Sequence, residues 1–325
     1  MGPGFGEVVL SRELRRACHH TLRHNLALEP GESVLIVNDG TRSGIAASFE
    51  DAARSFTERV ETLRIPMADH NGQEPPVETA SRMRDADVAL LVGEHSLSWT
   101  RARRDATTAG ARVASMPHIT EEIALRTLPI DYEPIRERVN GLCDRLDAAR
   151  EVRVRTAAGT DLTFSVEGRE AHGRKGGIYR RPGQWGNLPC GEAFIAPLEG
   201  TARGVYVVDA SHAGVGRLAK PIRITVEEGR AVRVEGGPEA RRLDETLRSV
   251  GDPRAYNVAE FGIGCNPAAR ITGVTLEDEK ALGTCHVALG RNDLFGGTVE
   301  VGIHLDGILR APTILIDGRG IDGPG

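Results

Sequence analysis

The chain has 325 residues, 40% of them hydrophobic and 27% charged, with a formal net charge of −5 at pH 7. That length allows two domains, each with its own core. The acidic balance and 4% aromatic content exclude a basic nucleic-acid footprint and a row of stacking aromatics for single strands.

No apolar run approaches the roughly eighteen residues a membrane span needs, and the first residues lack a basic-then-apolar leader. The five cysteines are odd in number and contain no Cys-x-x-Cys. We therefore expect thiols and a cytoplasmic protein.

In chain order, residues 1–6 read as a loose glycine-rich start. From Ser11, a good N-cap, Leu14, Ala17, Cys18, Thr21, Leu22 and Leu26 keep a helical period. His19, His20 and His24 read as a solvated helix face. Residues 33–38 form a continuous apolar run, as in a buried parallel strand, followed by a glycine turn and a helix over 43–56. Strands over 60–65, 88–92 and 112–116 alternate with helices over 80–84 and 101–110, which predicts an open parallel sheet flanked by helices. Ligands gather at the carboxyl ends of such strands, where His95, Thr100 and Arg101 stand as candidate substrate-binding residues. No Gly-x-Gly-x-x-Gly or Walker pattern follows the first strand, so nucleotide binding is unsupported.

A long helix over 131–150 closes this first domain, and the boundary is placed near residue 150. Strands over 151–155 and 161–166 switch the period to two, and strands, turns and glycines dominate from there on. Residues 169–184 are rich in arginine and glycine and read as a mobile loop. Arg180 and Arg181 there suit a substrate carboxylate, and Trp185 suits an aromatic one. Strands over 204–208, 222–226 and 231–235 and a helix over 238–250 follow, and the chain ends on a strand over 313–317 and a glycine-rich tail. The expected fold is thus an N-terminal α/β domain with an open parallel sheet (residues 1–150), then a strand-rich α+β metal-binding domain (residues 151–325).

Candidate chemistry is concentrated in the second half. His286 and the pair His304 and Asp306 lie in alternating, β-branched runs. Residues two apart on a strand share a face, so His304 and Asp306 project together. Glu192 and Glu260 each lie beside glycines, where the backbone can turn sharply or approach another group. Imidazole and carboxylate together suit zinc, or iron(II) in a facial triad.

The ordered segments Asn187-Leu-Pro-Cys-Gly-Glu192, Glu260-Phe-Gly-Ile-Gly-Cys-Asn-Pro267, Gly283-Thr-Cys-His-Val-Ala-Leu-Gly290 and His304-Leu-Asp306 resemble the M29 family of metallo-aminopeptidases. The resemblance implies that Glu192, Glu260, His286, His304 and Asp306 bind metal, in a family whose sites hold two ions with the help of a tyrosine. Asp293 stands at the tyrosine's position. A related branch with this fold contains iron(II) dioxygenases that open dihydroxypyridine rings.

The first functional expectation is therefore an M29-like hydrolase cleaving an amide of a small or peptide-like substrate. Zinc, cobalt or manganese would be its metal, and Glu192 or Glu260 the catalytic base. The alternative is an iron(II) ring-opening dioxygenase acting on a hydroxylated N-heteroaromatic, with His286, His304 and Asp306 as its triad. A small-molecule binding protein is the third reading. A homodimer is expected, with no nucleic-acid or membrane partner.

Overall fold

The computed structural model describes residues 11–321; the glycine-rich start and the tail beyond Ile321 lie outside the described residues. Two runs of aliphatic residues, Val34–Asn38 and Val88–Val92, are buried along their whole length. Only a strand covered on both faces tolerates that composition. They form the middle of a five-stranded parallel sheet, in the order Val60–Arg64, Val34–Asn38, Val88–Val92, Arg112–Ser115 and Trp185–Asn187. The helices Ser43–Arg54, Val77–Asp85 and Arg101–Thr108 alternate with the first four strands. Ser11 caps the first helix by accepting a hydrogen bond from the Leu14 amide at 3.0 Å, as its sequence predicts, and the end of that helix widens into a π turn over Thr21–Asn25.

The chain divides into two units. The first comprises the described residues up to Tyr132 together with Gly177–Cys190; the second comprises Glu133–Gly176 and the described residues from Gly191 onward. This differs from a single boundary near residue 150 in two places. The helix Glu133–Asp147 belongs to the second unit, where its buried residues Ile135, Val139, Cys143 and Leu146 pack; helical periodicity shows that a face is buried but not in which core. Gly177–Cys190 returns to the first unit as an extra parallel strand. There Tyr179 is 1% exposed and donates to the Asn187 carbonyl at 2.8 Å, and the Gly177 carbonyl accepts from Asn25 Nδ2 at 2.8 Å. The part of the expected mobile loop that lies in this segment is thus packed and hydrogen-bonded.

The second unit is built on two antiparallel sheets. One has seven strands, running from Arg230–Gly236 to Arg319–Gly320, and includes Glu151–Arg155 and Asp161–Ser165. The other has six, in the order Gly216–Arg217, Ser211–His212, His304–Arg310, Thr284–Gly290, Val258–Gly264 and Glu192–Ile195. Val258–Gly264 and Thr284–Gly290 are buried at every residue. Phe164 of the first sheet meets Phe261 of the second, with ring centroids 5.2 Å apart. The expected class, an α/β domain with a parallel sheet and a strand-rich domain, is the observed one. No helix among the described residues is long and apolar enough to cross a membrane. All five cysteines are buried and none is in a disulfide among the described residues.

Candidate metal centre

Four neighbouring strands of the six-stranded sheet bring the candidate ligands to one face. Register does most of the work: Gly264 pairs with Glu192, Gly262 with His286, and Gly290 with His304, while Ala288 stands between Glu260 and Asp306. Directly paired residues share a face, so the polar side chains rise among three glycines and an alanine that leave them room. A bulge between Val258 and Glu260 shifts the register there and re-aims Glu260.

Glu260 is the hub. Its Oε1 lies 3.1 Å from His286 Nε2, and its Oε2 lies 3.5 Å from His304 Nε2. His286 Nε2 is also 3.5 Å from Glu192 Oε2, and His304 Nε2 is 3.4 Å from Asp306 Oδ1. His304 Nδ1 lies 2.9 Å from the Arg291 carbonyl. A proton on Nδ1 makes that hydrogen bond and leaves Nε2 as the coordinating nitrogen, an arrangement typical of metal-bound histidine. Ligand atoms collect in two groups, Glu192–Glu260–His286 and Glu260–His304–Asp306, sharing Glu260. The sequence-predicted five are thus together, but His286, His304 and Asp306 do not form one group by themselves; Glu260 takes the place of His286 beside His304 and Asp306.

The residues fit a divalent cation. His286 is 0% exposed, Asp306 6% and Glu260 7%. Glu192 Oε2 and Asp306 Oδ1 are buried carboxylate oxygens with no hydrogen-bond donor among the described residues. Buried carboxylates without donors are costly and call for a cation. In the metal-free chain, protons answer that demand. Burial by itself would lower the His286 pKa, but the hydrogen bond it donates to Glu260 and the charges of Glu192, Glu260 and Asp306 outweigh it and raise it to about 9. His304 is raised to about 10 against the same burial, chiefly by Asp306. Burial would raise Asp306, yet His304 holds it well below the usual carboxylate range.

Sequence reasoning missed Lys280 and its partner Glu279. Lys280, 1% exposed, donates from Nζ to Glu192 Oε1 at 2.8 Å and also bonds Glu279. The run Glu277-Asp278-Glu279-Lys280 carries no sequence signal of burial, yet Glu277 and Asp278 are fully buried. Their carboxylates accept the backbone amides of Arg270, Thr272 and Gly273.

An aromatic wall adjoins His304. Phe295 meets the His304 ring edge-on at 5.7 Å and Phe194 at 5.7 Å, and His172 stacks on Phe194 at 5.4 Å. Asp293, at the family tyrosine's position, is in neither ligand group; it takes a two-point salt bridge from Arg291 at 2.9 and 3.0 Å.

The six residues expected to bind substrate all lie in the first unit. Thr100 Oγ1 caps the helix Arg101–Thr108 and donates to the Leu97 carbonyl. The Arg101 amide bonds Glu74, and His95 meets His118 edge-on at 6.1 Å. Arg180 Nε donates to the His24 carbonyl, and the Arg181 amide to Gln184 Oε1. Trp185 is flanked by Trp99 at 5.3 Å and by the Arg103 guanidinium, 3.6 Å over its ring.

A model of the family described as NicX, 2,5-dihydroxypyridine 5,6-dioxygenase, matches residues 13–323. The 2,5-dihydroxypyridine 5,6-dioxygenase of Pseudomonas putida KT2440 is 29% identical over 218 residues, which is 62% of this chain and 60% of that one. The match thus spans about 60% of the length of that curated relative. The solved structure of 2,5-dihydroxypyridine dioxygenase from the same organism superposes with a TM-score of 0.82 at 22% identity, over 95% of this chain and 94% of the other. Wild-type AmpT from Thermus thermophilus, an M29 aminopeptidase, gives 0.66 at 19% identity, over 95% and 99%. The link to M29 is therefore one of fold. The expected aminopeptidase-like hydrolase is corrected by the match along residues 13–323, which is to a dioxygenase family. The shared motifs misled because ligand-bearing strands are inherited with the fold, whereas the reaction depends on what else lines the site.

Proposed function

Because the chain belongs to the NicX family, we propose that it is a metal-dependent ring-opening dioxygenase whose substrate is a hydroxylated N-heteroaromatic such as 2,5-dihydroxypyridine. The match over residues 13–323 carries this reading, and the chemistry of the site supports it. Glu260, His304 and Asp306 would hold the ion, with His286 beside them. Iron(II) suits such imidazole and carboxylate donors, and when bound it supplies the one-electron chemistry that dioxygen requires.

The chain's own residues do the rest. The Arg291 carbonyl fixes the His304 ring, so its Nε2 needs no reorientation to bind. Phe295 and Phe194 offer apolar ring edges and faces against which a flat heteroaromatic can pack. Glu192 Oε2, which has no donor, can accept the proton of a substrate hydroxyl, while Lys280 holds the other oxygen still. Gly262, Gly264, Ala288 and Gly290 keep the floor of the site low.

The test is oxygen uptake coupled to loss of 2,5-dihydroxypyridine absorbance, using protein purified without a chelating tag and supplied with iron(II) under anaerobic conditions. Uptake stoichiometric with substrate loss is expected, and none in His304→Ala. An iron-loaded, folded protein that consumes no oxygen with any dihydroxypyridine isomer would refute the assignment.

A further inference from the structure

The cluster contains a buried cation, and that cation bears on how many metal ions the centre holds. Lys280 Nζ is buried, 2.8 Å from Glu192 Oε1 and bonded to Glu279 as well. The two ligand groups share Glu260 and differ in this respect. In the group Glu260–His304–Asp306, the Asp306 Oδ1 has no donor and Glu260 Oε2 faces His304. In the group Glu192–Glu260–His286, one oxygen of Glu192 already carries an ammonium. A metal ion drawing on Glu192 would share that carboxylate with Lys280, and like charges so close in a buried site repel strongly. Lys280 cannot relieve this by swinging into solvent, because its side chain is 1% exposed.

We propose that Lys280 is the resident cation of this centre: its ammonium balances Glu192 where a second metal ion would otherwise do so, limits the centre to one divalent ion, and keeps Glu192 off that ion. This rests on the reading that Glu260, His304 and Asp306 hold a divalent ion. Lys280 is thus a positioning residue. It acts through Glu192, leaving Oε2 of that carboxylate for the substrate's proton.

The experiment is cobalt(II) titration of the metal-stripped full chain, read by calorimetry and by the visible d–d bands. The wild type takes up one ion per chain. Lys280→Met takes up two, the second at Glu192, Glu260 and His286, whereas Lys280→Arg, which keeps the charge, stays at one. A merely structural lysine would lower the melting temperature of Lys280→Met without changing the stoichiometry. Should Lys280→Met fail to fold, Glu192→Gln decides. It loses turnover, but its cobalt affinity stays within about threefold of wild type, whereas loss of a true ligand or its hydrogen-bonded partner costs about 10- to 100-fold. Two ions in the wild type, one in a folded Lys280→Met, or a tenfold weaker ion in Glu192→Gln would each overturn the proposal. Undiminished cobalt binding in His304→Ala would instead overturn the reading on which it rests.

Discussion

The imidazole of His286 lies over the backbone of Gly262, so close that a Cβ at residue 262 would stand 2.1 Å from Nε2 and 2.2 Å from Cε1. The two residues are register partners on adjacent strands. The missing side chain is what lets His286 lean toward Glu260 and Glu192. Nothing about backbone freedom is involved, since Gly262 is not in the left-handed region.

Gly262→Ala should therefore act on the site through His286. The ring is fully buried, so making room for the methyl means leaving Glu260 or pushing the strands apart. Overpacking of this kind costs about 1 to 3 kcal/mol. Urea unfolding should show that loss, and cobalt(II) binding should weaken in parallel. A variant with wild-type stability and wild-type cobalt affinity would show that the contact has slack.

How much of this was legible in the sequence depended on whether the information was local. Val34–Asn38 announces a doubly covered strand because no polar residue interrupts it until Asn38. His304 and Asp306 announce a shared face because strand period is a local property. The gathering of Glu192, Glu260 and His286 came from motif resemblance, and the sheet order explains it. Lys280 could not be found this way. Its burial depends on Glu277 and Asp278 folding inward to bind the backbone of residues 270–273, a long-range condition that charge patterning hides. The same holds for Trp185–Asn187, three residues too short to signal a strand, which join the parallel sheet through register with Val113. The reaction was misjudged for a further reason: the ligand set reports the fold, and the wall formed by Phe194 and Phe295 comes from separate loops and strands.

The loop that follows the His286 strand is pinned from one point. Glu199 accepts from Asn292 Nδ2 at 2.9 Å and from the Thr298 amide at 2.8 Å, and pairs with Arg169, whose side chain is 11% exposed. Asn292 in turn accepts the Val299 amide. Glu199→Ala leaves these donors without their acceptor, which costs about 1 to 3 kcal/mol for buried groups. Beyond the stability loss, hydrogen exchange should rise across residues 291–303, and the Phe295 wall should loosen. Protection unchanged in that segment would show that the loop is held by Asn292 alone.

Asp293 allows a sharper expectation than its exposed setting suggests. Its salt bridge to Arg291 is partly exposed, at 26% and 31%, and pairs of that kind contribute less than about 1 kcal/mol. Arg291 nevertheless supplies the carbonyl that orients His304. Asp293→Ala should thus keep its metal and most of its stability. Asp293→Tyr should confer no peptidase activity, since the phenol's neighbours here belong to a different chemistry. Release of p-nitroaniline from aminoacyl anilides by Asp293→Tyr would contradict this.

The pH response of the metal-free chain follows from the two imidazoles. Both folded-state values, about 9 for His286 and about 10 for His304, lie above the ordinary 6.5. A group whose pKa is raised on folding binds its proton more tightly in the native state, so its contribution is complete below about 6.5 and is lost as pH rises through the folded value. The stripped protein should accordingly lose stability between about pH 6.5 and pH 10. An ion held by Glu260, His304 and Asp306 must displace the His304 proton and repels the one on His286, so cobalt(II) affinity should increase over that range and proton release should accompany titration. Loaded protein, in which the ion replaces the protons, should show a flatter profile than stripped protein. Parallel profiles for the two, measured by thermal unfolding from pH 6 to 10, would place the ion away from His304.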